Sequence, residues 1–175
     1  LFFAALPDPR TAMALDAVRE ALGIELGLPD EGRPKDLLHV SLYGLGLFAS
    51  LPSEVVRTAR RIGEAVKVPA FEVALDRLET FSTRRGHRLV LTSSKGAAAW
   101  RPLWDAMGKS FLASGRRAIP FSRFKPHLTL IYDGKLIPRR ILATPITLTV
   151  RDFVLVLSIH GETRHEHLGR WTLEG

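Results

Sequence analysis

Two short stretches hold the residues best suited to chemistry. His39-Val40-Ser41-Leu42 and His127-Leu128-Thr129-Leu130 share one order: histidine, apolar, hydroxyl, apolar. On a β-strand, side chains two residues apart leave the same face. Each stretch then presents an imidazole beside a hydroxyl, with aliphatic residues turned the other way. Six histidines, and 21 Ser and Thr among 175 residues, give about 0.15 chance occurrences of this pattern. The chain has two.

Two histidines suit acid–base work on phosphorus. Imidazole titrates near neutrality, so one ring can take a proton while the other gives one. The Ser41 and Thr129 hydroxyls can donate to non-bridging phosphoryl oxygens, where charge builds up. On strict alternation Arg123 and Lys125 share the face of His127 and Thr129 and are candidate phosphate contacts, although Pro126 can disturb the register. Tyr43 and Tyr132 follow the two motifs. Each is a candidate for stacking on a base, against the plainer role of a core tyrosine. No cluster of acidic residues suggests a two-metal site, so metal-free catalysis is the simpler expectation. A rival lies in "HGETRHEH", where alternation can put His165 and His167 on one face near His160 as metal ligands, but no ligand motif supports it. His87 starts a strand and reads as structural.

The elements that must hold these residues follow from periodicity. "LFFAAL" reads as a buried strand. A helix follows over "PDPRTAMALDAVREALG", with Asp8 as cap, Pro9 in its first turn, Leu15, Val18 and Leu22 on one face, and Gly23 as its end. A loop rich in Gly, Pro and charge runs from about 27 to 36, and "LLHVSLYG" is a short strand. "PSEVVRTARRIGEAV" is a second helix, capped by Ser53, with Val55, Ala59, Ile62 and Val66 inward and its arginines mostly on a solvated face. "AFEVALDRLETF" and "HRLVLTS" pair across "STRRG". A third helix over about 97–113 carries Trp100, Trp104, Met107 and Phe111 at core spacing. The second histidine stretch is the next strand, and two or three more finish the chain: "ITLTVRDFVLVLSIHG" is apolar on both faces in its second half, as a covered central strand would be, and "LGRWTLE" can return antiparallel. The order β-α-β-α-β-β-α-β-β-β implies an α/β or α+β chain of one domain, 1–175.

The net charge is +7, and arginine supplies 19 of the 25 basic side chains. Arginine forms bidentate contacts with phosphate, so a phosphate-bearing partner such as RNA or a nucleotide is favoured. There is no cysteine, which excludes thiol catalysis, disulfides and Cys-ligated zinc. "LFFAAL" is too short for a signal-peptide core or a membrane span, so a cytoplasmic protein without membrane attachment is expected. With Leu1 in place of Met, the numbered chain is expected to begin just inside the gene product.

These features together resemble the 2H phosphoesterase superfamily, defined by two His-x-Thr/Ser-x motifs, and within it the 2′-5′ RNA ligase, or RNA 2′,3′-cyclic phosphodiesterase, branch. "LFFAALPDP" resembles its first strand and the lead into its first helix, "LLHVSLYGLG" its first motif, "RFKPHLTL" its second, and "FVLVLSIHG…LGRWTL" its closing hairpin. Ser41 stands where the family often has Thr. Gly44 stands where it often has a bulky aromatic, and Tyr132 and Asp133 where it often has a basic residue. The resemblance implies an α+β bilobal fold: two pseudo-twofold-related lobes of antiparallel strands, helices outside and a central cleft. It implies His39, Ser41, His127 and Thr129 as the catalytic quartet, with no metal or organic cofactor. The implied reaction is hydrolysis of an RNA or nucleotide 2′,3′-cyclic phosphate to the 2′-phosphate, with 2′-5′ ligation when an RNA 5′-hydroxyl replaces water. His127 is expected as base and His39 as acid. Other readings are a 2H enzyme acting on another cyclic nucleotide derivative or a 2′-5′ oligoadenylate, and a non-catalytic RNA-binding domain. No obligatory protein partner is evident.

Overall fold

The computed structural model describes residues 1–28, 33–84, 86–159 and 162–174, without the side chains of residues 133 and 134. Eight strands form one sheet: β1 (Phe2–Ala5), β2 (Val40–Gly44), β3 (Phe71–Thr83), β4 (Gly86–Thr92), β5 (Leu128–Gly134), β6 (Arg140–Val150), β7 (Asp152–Ile159) and β8 (Arg164–Thr172). Their order is β6-β3-β4-β5-β2-β1-β7-β8, and every neighbouring pair is antiparallel. Among the described residues three α-helices accompany it: α1 (Pro9–Leu26), α2 (Ser53–Glu64) and α3 (Arg101–Ala113). The architecture is α+β, with one strand more after β5 than the shortest sequence-based order.

The sheet divides into two four-stranded halves, β6-β3-β4-β5 and β2-β1-β7-β8, that meet where β2 pairs with β5 through Val40 and Leu128. These are the apolar residues inside the two motifs, and both are buried. The antiparallel pair relates the halves by a pseudo-twofold axis and sets the motifs side by side.

Alternation divides the two faces of the sheet. Phe3, Ala5, Val40, Leu75, Leu78, Leu89, Leu91, Leu128, Phe153 and Leu155 join the helices in the main core. Ala4, Val154 and Val156 form a second cluster with Phe2 and Leu6 on the opposite face. β7 therefore buries both faces, as its unbroken apolar run suggests.

Asp8 caps α1 by accepting from the backbone N–H groups of Arg10 and Thr11 at 2.9 and 3.0 Å. The helix does not end at Gly23. It runs to Leu26 and closes at Gly27, whose φ of 58° is left-handed. A glycine inside a helix costs about 1 kcal/mol, which packing of Leu15 and Leu22 outweighs. Ser53 is the first residue of α2 rather than its cap; Pro52 holds that position without a side-chain hydrogen bond. Ala59, Ile62 and Val66 are buried as the stripe requires. Trp100, Trp104, Met107 and Phe111 are buried too. No helix among the described residues is long and apolar enough to cross a membrane.

Candidate active site

His39 and His127 each stand one residue before the strand that their motif opens. Both lead-ins contain a 3₁₀ turn, Lys35–Leu37 and Phe121–Arg123. Continuing the Val40–Leu128 register by one residue either way puts His39 across from Thr129 and Ser41 across from His127. All four leave the face away from the helices. Ser41 is exposed, Thr129 is 8% exposed, and the two rings are intermediate.

The rings are held in the same way. His39 Nδ1 lies 2.8 Å from the carbonyl oxygen of Leu37, and His127 Nδ1 lies 2.8 Å from that of Lys125. A carbonyl only accepts, so each Nδ1 bears a hydrogen and each Nε2 is left as the atom that takes up or gives a proton. His39 Nε2 accepts from the Ser41 hydroxyl at 3.0 Å. Among the described residues His127 Nε2 has no hydrogen-bond partner. Phe2 packs on His39 with ring centroids 5.1 Å apart, and Phe81 packs on His127 at 4.9 Å.

Both motif strands are bulged just after the hydroxyl. β1 and β2 slip register between Phe2 and Ala4, and β4 and β5 slip between Leu89 and Val90. A bulge reverses the alternation beyond it. Leu42 and Tyr43 therefore both face the core, as do Leu130 and Ile131. Tyr43 is 1% exposed, packs on Trp104 and Phe111 at 4.1 and 4.6 Å, and donates its hydroxyl to the Ile119 carbonyl at 3.2 Å. It cannot stack on a base, which corrects the sequence-based candidate. Tyr132 is turned to the histidine face by the same device, at the position equivalent to Gly44.

Arg123 and Lys125 depart from strict alternation. Arg123 belongs to the 3₁₀ turn and Lys125 to the irregular segment after it, so strand periodicity does not apply to either. Both are exposed. Lys125 lines a cavity of about 320 Å³ with Glu79, Phe81 and Thr92, while among the described residues no contact puts Arg123 on the quartet.

Sequence reasoning missed the residues around His39. Arg33 lies in an aperiodic loop, and only its charge marked it. Its backbone N–H donates to the Leu130 carbonyl of β5 at 3.0 Å. Its Nε donates to the Leu37 carbonyl at 2.6 Å, and another guanidinium N–H donates to the Tyr132 hydroxyl. The remaining nitrogen is 3.3 Å from His165 Nε2 and 3.4 Å from His39 Nδ1. Arg33 and Arg88 both lie over the Tyr132 ring, at 5.4 and 5.1 Å. His165, which the sequence offered as a metal ligand, packs against His39 at 5.4 Å and Phe2 at 5.8 Å. Among the described residues no three His, Asp or Glu side chains gather as a metal site; His160 lies outside them.

Burial and the adjacent Arg33 cation push His39 down to about 3, with His165 and His127 adding to the effect. His127 is lowered chiefly by burial and by Arg88, while its bond to Lys125 and the Glu79 carboxylate pull it back up. Burial and Arg33 bring His165 to about 4. At neutral pH His39 and His165 therefore rest as uncharged imidazoles beside fixed guanidinium charge. A cavity of about 320 Å³ opens beside it, lined by Arg33, Tyr132, Ser158, Arg164 and His165. A cavity of about 660 Å³ lies away from the histidines at the start of α1.

The fold is shared with several solved structures. E. coli LigT complexed with 3′-AMP superposes with a TM-score of 0.70 at 24% identity, over 99% of this chain and 97% of that one. A protein described as a phosphoesterase gives 0.73 at 24%, over 99% and 98%. TT0787 of Thermus thermophilus gives 0.69 at 19%, over 99% and 97%. No curated protein sequence matches the chain significantly. The model of the 2′-5′ RNA ligase superfamily matches residues 7–161, a span that includes both histidine motifs and the strands from β2 to β7. Through that match the chain belongs to the 2′-5′ RNA ligase superfamily, a group of 2H phosphoesterases.

Proposed function

We propose that the chain hydrolyses the 2′,3′-cyclic phosphate of an RNA end or a nucleotide to the 2′-phosphate, with His39 and His127 as an acid–base pair. One Nε2 takes a proton from water as its oxygen attacks phosphorus. The bond from phosphorus to O3′ breaks, and the other ring supplies the proton that O3′ needs. Ser41 and Thr129 donate to the non-bridging oxygens, and Lys125, with Arg123 at longer range, supplies positive charge to the approaching RNA. Tyr132 is the remaining aromatic for a base to pack on. With an RNA 5′-hydroxyl in place of water, the same displacement makes a 2′-5′ linkage.

The observation that carries this reading is the matched pinning of both Nδ1 atoms by backbone carbonyls. It leaves two Nε2 atoms, one from each half of the sheet, to work on one phosphorus. Preorganised groups of this kind act without reorganisation during the reaction. The chain's +7 charge suits an RNA partner, and LigT, one of the solved structures that share the fold, is complexed with 3′-AMP.

The test is turnover of a 2′,3′-cyclic mononucleotide and of a short RNA with that end, with chelator present and products resolved as 2′- or 3′-phosphate. Conversion to the 2′-phosphate is expected for both. Exclusive formation of the 3′-phosphate overturns the direction of ring opening. No conversion of either substrate overturns the substrate class and shifts attention to 2′-5′ oligoadenylates, other cyclic nucleotide derivatives or RNA binding alone.

A further inference from the structure

The pseudo-twofold axis makes His39 and His127 equivalent in backbone position, tautomer and neighbouring hydroxyl. An acid–base pair needs them unequal, and the inequality lies outside the motifs. Arg33 and His39 share one acceptor, the Leu37 carbonyl, with donors at 2.6 and 2.8 Å. Because His39 Nδ1 already donates there, the guanidinium nitrogen 3.4 Å away meets another donor and makes no bond with it. A second proton on His39 would put two cations in contact. Arg33 cannot move away freely, since Tyr132, His165 and the Leu130 carbonyl also hold it.

His127 has no such neighbour among the described residues. Its ring packs on Phe81, and the charges that act on it are Arg88 and the opposing carboxylate of Glu79. The groups facing His39 are Arg33 from the loop, His165 from β8, His127 from the lead-in to β5, Ser41 from β2 and the uncharged Phe2 from β1.

We infer that Arg33 is a positioning residue that breaks the symmetry of the site, keeping His39 neutral as the base and leaving His127 to carry the proton as the acid. This rests on the phosphodiesterase reading above and reverses the order of roles expected from sequence. Arg33 acts through His39 and need not touch substrate. The electrostatics point the same way, since burial first and Arg33 next push His39 down to about 3.

Two measurements test it. The first follows the imidazole signals of His39 and His127 by NMR against pH without substrate. His39 is expected to titrate below His127, and to rise by about one pH unit or more in Arg33→Met, with Arg33→Lys intermediate. His39 titrating at or above His127 in the unaltered protein overturns the inference, whether or not the variants fold. So does a His39 titration that Arg33→Met leaves unmoved. The second compares His39→Ala and His127→Ala on a 2′,3′-cyclic phosphate and on a phosphodiester with an activated phenolate leaving group. The activated ester is expected to restore His127→Ala and not His39→Ala, because a good leaving group needs no acid. Rescue of His39→Ala alone overturns the assignment. Failure on every cyclic phosphate would sink the phosphodiesterase reading instead, and the substrate-free titrations would still judge Arg33.

Discussion

At the scale of single residues, the site is a set of side chains whose roles depend on which hydrogen is where. Both histidines keep Nδ1–H on a carbonyl, so Nε2 is the atom left to work in each. Thr129 is nearly buried across from His39, and its hydroxyl is available to an oxygen on phosphorus. Thr129→Val keeps the shape and removes that donor. It is expected to lower kcat by about 10²-fold with little change in KM and an unaltered circular dichroism spectrum. A kcat within a few-fold of the original would remove Thr129 from the machinery. The pairing of each histidine with a hydroxyl was legible in sequence because His-x-hydroxyl on a strand is a short-range rule. Arg33 was not, because its partners Tyr132 and His165 lie 99 and 132 residues away, a distance that no local pattern reports.

At the scale of elements, the strands were easier to read than their irregularities. Periodicity separated β3 from β4, gave the face of α3 and marked β7 as covered. It could not show the bulges in β2 and β5, which turn Tyr43 into the core and Tyr132 out of it. Nor could it show that both histidines precede their ladders, where a 3₁₀ turn leads into the strand. Gly23 and Ser53 were plausible helix signals that tertiary packing overruled. Helix docking has its own sequence mark, which composition alone did not reveal. Gly63 of α2 lies against Trp171 of β8, where an added Cβ would come within 2.4 Å of the indole. Trp171 also stacks on Phe153 at 5.3 Å, so the ring has little room to retreat. Gly63→Ala is therefore expected to destabilise the fold by about 1–3 kcal/mol, read as a fall in Tm of about 2–4 °C per kcal/mol. An unchanged or raised Tm would show that α2 can shift at no cost.

At the scale of the whole molecule, one sheet joins two halves, and each half supplies one histidine and one hydroxyl. The centre of the site is the Val40–Leu128 pair where the halves meet, so neither half holds a complete site. The repeated motif made this symmetry readable from sequence. Its breaking was not readable, since Arg33, His165 and Tyr132 on one side and Phe81 and Glu79 on the other come from unrelated parts of the chain. The most direct measurement is the single-turnover rate on a 2′,3′-cyclic phosphate for the unaltered protein, His39→Ala, His127→Ala and the double variant. Each single change is expected to cost about 10²–10⁴-fold, and the double change little more than the worse single one, because the pair acts as a unit. Either single variant turning over at the unaltered rate would contradict the two-histidine site.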